Sequence, residues 1–200
     1  MFLEPSIAGV VLCGGMSRRM GRDKASLPFG DETMLGRVVR QLAQVATPIV
    51  VVAAAGQILP ALPDETILVR DAVAGRGPWQ GIAAGLRTVN TELAFVAGCD
   101  GPFLEPGWVR KLAELIGDKH AAVPFVDDCY QPLAALYRTA IVSEIERLLQ
   151  EAHPRPWELF DRTPTRRVLA EELRDIDPLL RTLRNINTMD DYRQALSEMD

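Results

Sequence analysis

A chain of 200 residues, 48% hydrophobic and 24% charged, is long enough to bury a proper core and is expected to form one domain over residues 1–200. Its net charge of −5 provides no general basic surface, so a nucleic-acid partner is not expected. No apolar run approaches the ~18 residues of a membrane span, which excludes membrane insertion by a long apolar helix.

The opening residues MFLEPSIAG lack a positive leader followed by a long apolar segment, so no signal peptide is expected. Cys13, Cys99 and Cys129 lack CxxC spacing and read as reduced thiols of a cytoplasmic protein. Histidine occurs only at His120 and His153, so a histidine metal site or a Ser-His-Asp triad is poorly supplied.

Short apolar runs alternate with longer amphipathic segments along the chain. Ile7–Leu12 predicts a buried strand. Thr33 to Gln44 carries Met34, Leu35, Val38, Val39 and Leu42 at helical spacing. Pro48 introduces IVVVAAA, a second buried strand that stops at Gly56, and Ile67–Val69 predicts a third. Gly77-Pro78-Trp79-Gln80-Gly81 reads as a turn into a helix from Ile82 to Val89. Leu93–Ala97 is the fourth strand, and Pro106 to Ile116 a helix with proline suited to its first turn. Ala121–Val126 and Leu133–Tyr137 are further strand candidates, and Ile141 to Glu151 reads as helix. His153 to Pro164 reads as a loop or short helix, Val168 to Arg174 is ambiguous, and Tyr192 to Met199 is a helix. This order predicts an α/β fold with a mostly parallel sheet covered on both faces. Ligands in such sheets bind at the carboxyl ends of the strands.

At the first of those ends the chain reads IAGVVLCGGMSRRMGRDK. Paired glycines let backbone turn tightly and approach a ligand, and N–H groups in such a turn cradle phosphate oxygens. Arg18, Arg19, Arg22 and Lys24 add positive charge to the same loop. Together these features predict an anion site, for a nucleoside triphosphate above all; a glycine turn with solvated arginines is the plainer alternative. Known phosphate loops do not fit. Gly15 and Gly21 have five residues between them with Arg22 following, so this is no Walker A loop, and Gly-x-Gly-x-x-Gly is absent.

Asp71 follows the third strand and Asp100 the fourth, so the two are expected at adjacent strand ends facing one pocket. A carboxylate beside a triphosphate needs a cation between them, and Mg²⁺, held by one or two carboxylates plus phosphate oxygens, suits that place. A helix cap or turn before Pro102 is the plainer alternative for Asp100, as helix entry is for Gly77 and Pro78 and capping for Asn187 or Thr188; metal binding is the favoured reading of Asp100.

Leu12-Cys13-Gly14-Gly15-Met16-Ser17-Arg18-Arg19-Met20-Gly21-Arg22-Asp23-Lys24 is similar to the loop L-[AC]-G-G-x-S-x-R-M-G-x-D-K of the nucleotidyltransferases that activate small phosphates and sugars. The GG form with aspartate before the lysine resembles the molybdenum cofactor guanylyltransferases, the MobA-like family. Cys99-Asp100-Gly101-Pro102-Phe103-Leu104 resembles that family's C-D-x-P-[FY]-L. The run from Gly77 to Gly81 resembles G-P-L-x-G with Trp79 for leucine. Asn185-Ile186-Asn187-Thr188-Met189-Asp190-Asp191 resembles N-[IV]-N-T-P-E-D with Met189 for proline. Tyr130 to Tyr137 looks like the segment leading into the acceptor-side strand. Ala53 stands where the family often has a nucleotide-holding asparagine.

The resemblance implies a three-layer, Rossmann-like nucleotidyltransferase fold. It also implies an activity: GMP passes from GTP to the phosphate of molybdenum-bearing molybdopterin, and pyrophosphate leaves. Asp100 and Asn187 would hold Mg²⁺. The nucleotide would meet Leu12, Cys13, Gly14, Gly15, Lys24, Asp71, Gly77, Pro78 and Asp100. Arg19 would hold the leaving phosphates and Lys24 would offset charge at the α-phosphate, making Arg19, Lys24 and Asp100 the catalytic set. Transient contact with molybdenum-insertion and cofactor-accepting proteins is implied as well. A related enzyme using CTP or a sugar-phosphate acceptor, and a non-catalytic nucleotide or cofactor binder, are the alternatives.

Overall fold

Six residues, Ile7–Leu12, form β1 at the centre of the sheet, and burial on both faces explains why the run lacks polar alternation. A computed structural model describes residues 6–13, 23–71, 77–151 and 157–198. Beyond β1 come a hairpin of β2 (Pro28–Phe29) and β3 (Glu32–Thr33), then α1 (Met34–Leu42), β4 (Ile49–Ala54) and β5 (Ile67–Asp71). Next are α2 (Pro78–Thr88), β6 (Leu93–Gly98), α3 (Pro106–Leu115), β7 (Ala121–Val126), β8 (Cys129–Tyr130) and β9 (Ala134–Arg138). The last elements are α4 (Val142–Leu149), α5 (Glu158–Arg162), β10 (Thr165–Leu169) and α6 (Met189–Ser197). Among the described residues no helix is long and apolar enough to cross a membrane.

The main sheet runs β10-β7-β9-β6-β1-β4-β5, with β8 paired to β7. Only β9 and β8 run against the others, since β9 pairs antiparallel with both β6 and β7. Val11, Val51 and Phe95 face one layer with α1 and α3. Val10, Val50 and Val96 face the other, with α2, α4 and α5. The architecture is thus helix, sheet, helix, as expected. From β1 the chain leaves toward β4 and β5, then returns to β6 on the other side of β1. That reversal opens a crevice at the carboxyl ends of β1 and β6.

Several details differ from the sequence reading. The β2–β3 hairpin is additional; two residues per strand carry no detectable period. The ambiguous region from Val168 to Arg174 divides between the end of β10, a polar edge strand starting at Thr165, and a 3₁₀ turn at Ala170–Glu172. Helix α2 starts at Pro78, not after Gly81, with Pro78 in its first turn. Gly77 stands before it at φ 76°, a left-handed backbone that favours glycine. Helix α6 begins at Met189, earlier than Tyr192.

Helix α2 packs unusually close to β1. A methyl group on Gly81 would lie 3.3 Å from the Leu12 side chain, and one on Gly85 would lie 2.3 Å from Val10. Because Gly81 sits on the last residue of β1 and Gly85 on an earlier one, α2 runs against β1 and its N-terminus reaches the carboxyl edge. Gly85→Val is expected to destabilise the protein by about 1–3 kcal/mol through overpacking, measured as a lower urea midpoint.

At the other end of the chain, Thr188 caps α6: its Oγ1 accepts from Asp191 N–H at 3.1 Å. The Asp191 carboxylate in turn accepts from the N–H groups of Asn187 (3.0 Å) and Thr188 (2.8 Å). These bonds hold the Asp191 carboxyl below its ordinary value of 3.8. Their contribution is therefore complete above that value and is lost as pH falls through the depressed one. Asp191→Asn should melt at lower temperature than the parent near neutral pH, with the gap closing in strong acid.

Candidate active site

The carboxyl edge of the sheet assembles from three remote segments. Register pairs Leu12 with Gly98, so Cys13 and Cys99 follow side by side. Cys99 N–H donates to Leu12 O at 3.0 Å and Cys13 N–H to Val52 O at 2.8 Å, which fixes both strand ends. The two thiols meet between the strands; contact with Cys13 and burial push the Cys99 thiol well above its usual range. Both cysteines are buried packing groups of the sheet edge, and burial keeps the Cys99 thiol in its protonated, unreactive form.

Next to Cys99, Asp100 turns its carboxylate to Lys24. Lys24 opens a short 3₁₀ turn, Lys24–Ser26, capped by Asp23, whose Oδ1 accepts from Ala25 N–H at 3.0 Å. Lys24 Nζ lies 3.2 Å from Asp100 Oδ2 and donates to Asn187 Oδ1 at 2.9 Å. Both carboxylate and ammonium are mostly covered, at 23% and 16% exposure, so their interaction is less screened than a surface pair. Asn187 is available because Thr188 takes the capping role. The third segment is held down by Ile186 N–H, which donates to Asp100 O at 2.8 Å.

A small apolar cluster supports this junction. Leu27, Phe29, Met34, Phe103, Ile186, Tyr192 and Ala195 pack together at the edge of the sheet. Phe29 and Phe103 meet edge to face at 5.7 Å, and Arg181 lies over Phe103 at 4.1 Å. Arg37 Nε donates to Pro102 O at 2.9 Å, and Tyr192 Oη donates to Pro28 O. The loop that carries Asp100 is thus bound from the hairpin side and the α6 side together.

The other expected site residues fall into three groups. Arg18, Arg19, Arg22, Gly14 and Gly15 lie outside the described residues. Leu12, Cys13, Gly77 and Pro78 sit at the same edge as Asp100, Leu12 beneath α2 and the Gly77–Pro78 pair at that helix's start. Asp71 ends β5, and the expectation that it adjoins Asp100 is corrected: β1 and β4 stand between β5 and β6. Three strand spacings amount to about 14 Å, so one extended ligand, rather than one ion, would have to reach both aspartates.

The departures from the family pattern have local explanations. Trp79 is buried against Tyr137 and Phe160, with ring centroids at 6.5 and 5.4 Å, so its extra volume serves the core. Met189 occupies the first helical position of α6, where proline is favoured but not required. Ala53 is fully buried in the α1 and α3 layer, which withdraws its side chain from the crevice. Gln57, which the sequence reading passed over, bonds to Cys13 O, to Asp23 and to Ala54 N–H. Its only advance signal was a polar side chain just beyond the second strand.

Comparison with known proteins agrees with this fold. The family model of the MobA-like NTP transferase domain matches residues 9–167. A "Probable molybdenum cofactor guanylyltransferase" of Mycobacterium avium is 37% identical over 94% of this chain and 93% of its own length. A protein of the same name from Mycobacterium tuberculosis H37Rv is 36% identical over 85% and 87%. The crystal structure of molybdopterin-guanine dinucleotide biosynthesis protein A from Archaeoglobus fulgidus superimposes with a TM-score of 0.80 at 25% identity, over 96% of this chain and 98% of that one. With a family model over most of its length, relatives above one-third identity and a shared fold, the chain belongs to the MobA-like NTP transferase family and is a nucleotidyltransferase.

Proposed function

We propose that this enzyme transfers GMP from GTP to the terminal phosphate of molybdenum-bearing molybdopterin, forming the guanine dinucleotide form of the cofactor. The observation that carries the reading is the convergence of Asp100 and Asn187, 76 and 163 residues from Lys24 in sequence, on the Lys24 ammonium group. The relatives' printed names support the choice of nucleotide and acceptor.

The donor set fits Mg²⁺. Asp100 Oδ2 and Asn187 Oδ1 already converge on a single cation, the Lys24 ammonium, and both are the hard oxygen donors that ion takes. Asp100 and Asn187 would hold the metal, with phosphate oxygens completing its shell. When bound, it would supply charge neutralisation between the two anionic reactants.

The chain's own groups do the rest by position and charge. The start of α2, entered through Gly77 and Pro78 and seated on Leu12, brings backbone N–H groups that have no partner within the helix to the phosphate end of the crevice. Lys24 offsets negative charge growing around the α-phosphorus. Arg19, with the amides of Gly14 and Gly15, holds the β- and γ-phosphates. An oxygen of the acceptor phosphate bonds to the α-phosphorus while the bond to the bridging oxygen breaks, and pyrophosphate carries the electron pair away. A phosphate monoester has its second pKa near ~6 and is largely ionised at neutral pH, so no general base is required. Asp71, at the far edge of the sheet, is assigned to the nucleoside end of GTP. The 200 residues act as one unit, and the three free cysteines suit the cytoplasm, from which the product passes to cofactor-accepting proteins.

The decisive assay is Mg²⁺-dependent pyrophosphate release with GTP, CTP, ATP and UTP offered separately with molybdopterin. Release with GTP is expected; preference for CTP, or tight binding with no release, would overturn the assignment. Lys24→Ala should lower kcat by about 10²–10³-fold while the acceptor KM stays near that of the parent, as read from steady-state rates. Asp100→Ala should abolish the response to added Mg²⁺, and an unchanged metal titration in that variant would remove Asp100 from the metal's shell.

A further inference from the structure

Gln57 follows β4 in a turn closed by its own N–H to Ala54 O at 3.1 Å. Its side chain is half-buried and fully engaged. Oε1 accepts from Ala54 N–H at 3.1 Å. Nε2 donates to Cys13 O at 3.2 Å and to Asp23 Oδ2 at 2.9 Å. Its backbone carbonyl accepts from Arg70 Nη1 at 2.6 Å, which ties the turn to β5. The two hydrogens of one amide nitrogen therefore join the end of β1 to the residue just before Lys24.

Asp23 passes that restraint on. One of its oxygens is held by Gln57, and the other caps the 3₁₀ turn that begins with Lys24. A line of hydrogen bonds thus runs from the β4 turn through Asp23 to Ala25 N–H, bracketing the lysine that meets Asp100 and Asn187 between two restrained neighbours. We infer that Gln57 is a positioning residue for Lys24, an inference that rests on the nucleotidyltransferase reading above. The amide suits this place for a chemical reason. It donates twice, to a carbonyl and to a carboxylate, while its oxygen accepts, and it brings no charge. Glutamate, at the same size, would set a second carboxylate against Asp23 and could not donate to Cys13 O. Lysine or arginine would add a cation that competes with Lys24 for the same anions.

A double-mutant cycle tests whether Gln57 acts through Lys24, with pyrophosphate release from Mg²⁺–GTP and molybdopterin as the rate and calorimetric Mg²⁺–GTP binding as a second readout. Gln57→Ala should lower kcat by about 10–100-fold in the parent, the scale of a misplaced reacting group, and by less than about 3-fold in Lys24→Ala. The acceptor KM should stay within about 2-fold of the parent value. Equal losses in both backgrounds, or no loss in the parent, overturn the inference. Gln57→Glu preserves side-chain size and guards against a folding failure of the alanine variant. It should lose activity comparably, and adding Asp23→Asn, which reverses donor and acceptor, should restore part of it; no recovery counts against the contact. Should the parent bind no Mg²⁺–GTP in the calorimeter, the nucleotidyltransferase reading itself fails, an outcome distinct from failure of Gln57 alone.

Discussion

The contact on which the rest depends is the one between Lys24 and its two oxygen partners. A lysine ammonium at 16% exposure has lost most of its water and needs anionic or polar partners in its place. Asp100 and Asn187 meet that need, and they come from chain segments that no local structure could bring together. The sheet supplies the first, since β6 lies beside β1. The Phe29, Phe103 and Tyr192 cluster supplies the second by seating α6 on the hairpin. Core packing and site chemistry are therefore the same problem here: each apolar contact at this edge sets the position of a charge.

The sheet order explains why the edge is divided into functional zones. Toward β4 and β5 lie Gln57, Arg70 and Asp71, and toward β9 and β7 lie Leu133, Tyr130 and Phe125. β1 and β6 stand between, with Lys24 and Asp100 at their ends. Reversal of chain direction at β1 and β6 opens the layers at that point, because one crossover helix lies on each side of it. The nucleotide and acceptor proposed for this enzyme would approach from opposite flanks and meet where the cation cluster is.

Much of this was readable in the residues. Runs such as IVVVA announced strands covered on both faces, and the helical spacing from Met34 to Leu42 defined α1. Lys24, Asp100 and Asn187 were each legible because they lie in short motifs at strand ends or a helix start. The Asp71 adjacency was misjudged for a physical reason: the order of strands in a sheet follows from crossover packing, and consecutive strands need not be neighbours. β10 was ambiguous because an edge strand reading TRRVL has one buried valine and no apolar run. Gln57 was invisible because an amide that bridges two loops leaves no periodic trace.

The late position of Asn187 has a consequence for how the enzyme comes into being. Every strand of the main sheet, and both Lys24 and Asp100, precede it in the sequence. A nascent chain can therefore acquire its scaffold and most of the proposed anion-binding edge while Asn187 has yet to be synthesised. The proposed cation cluster is therefore complete only once α6 has docked and the lysine has gained its second partner.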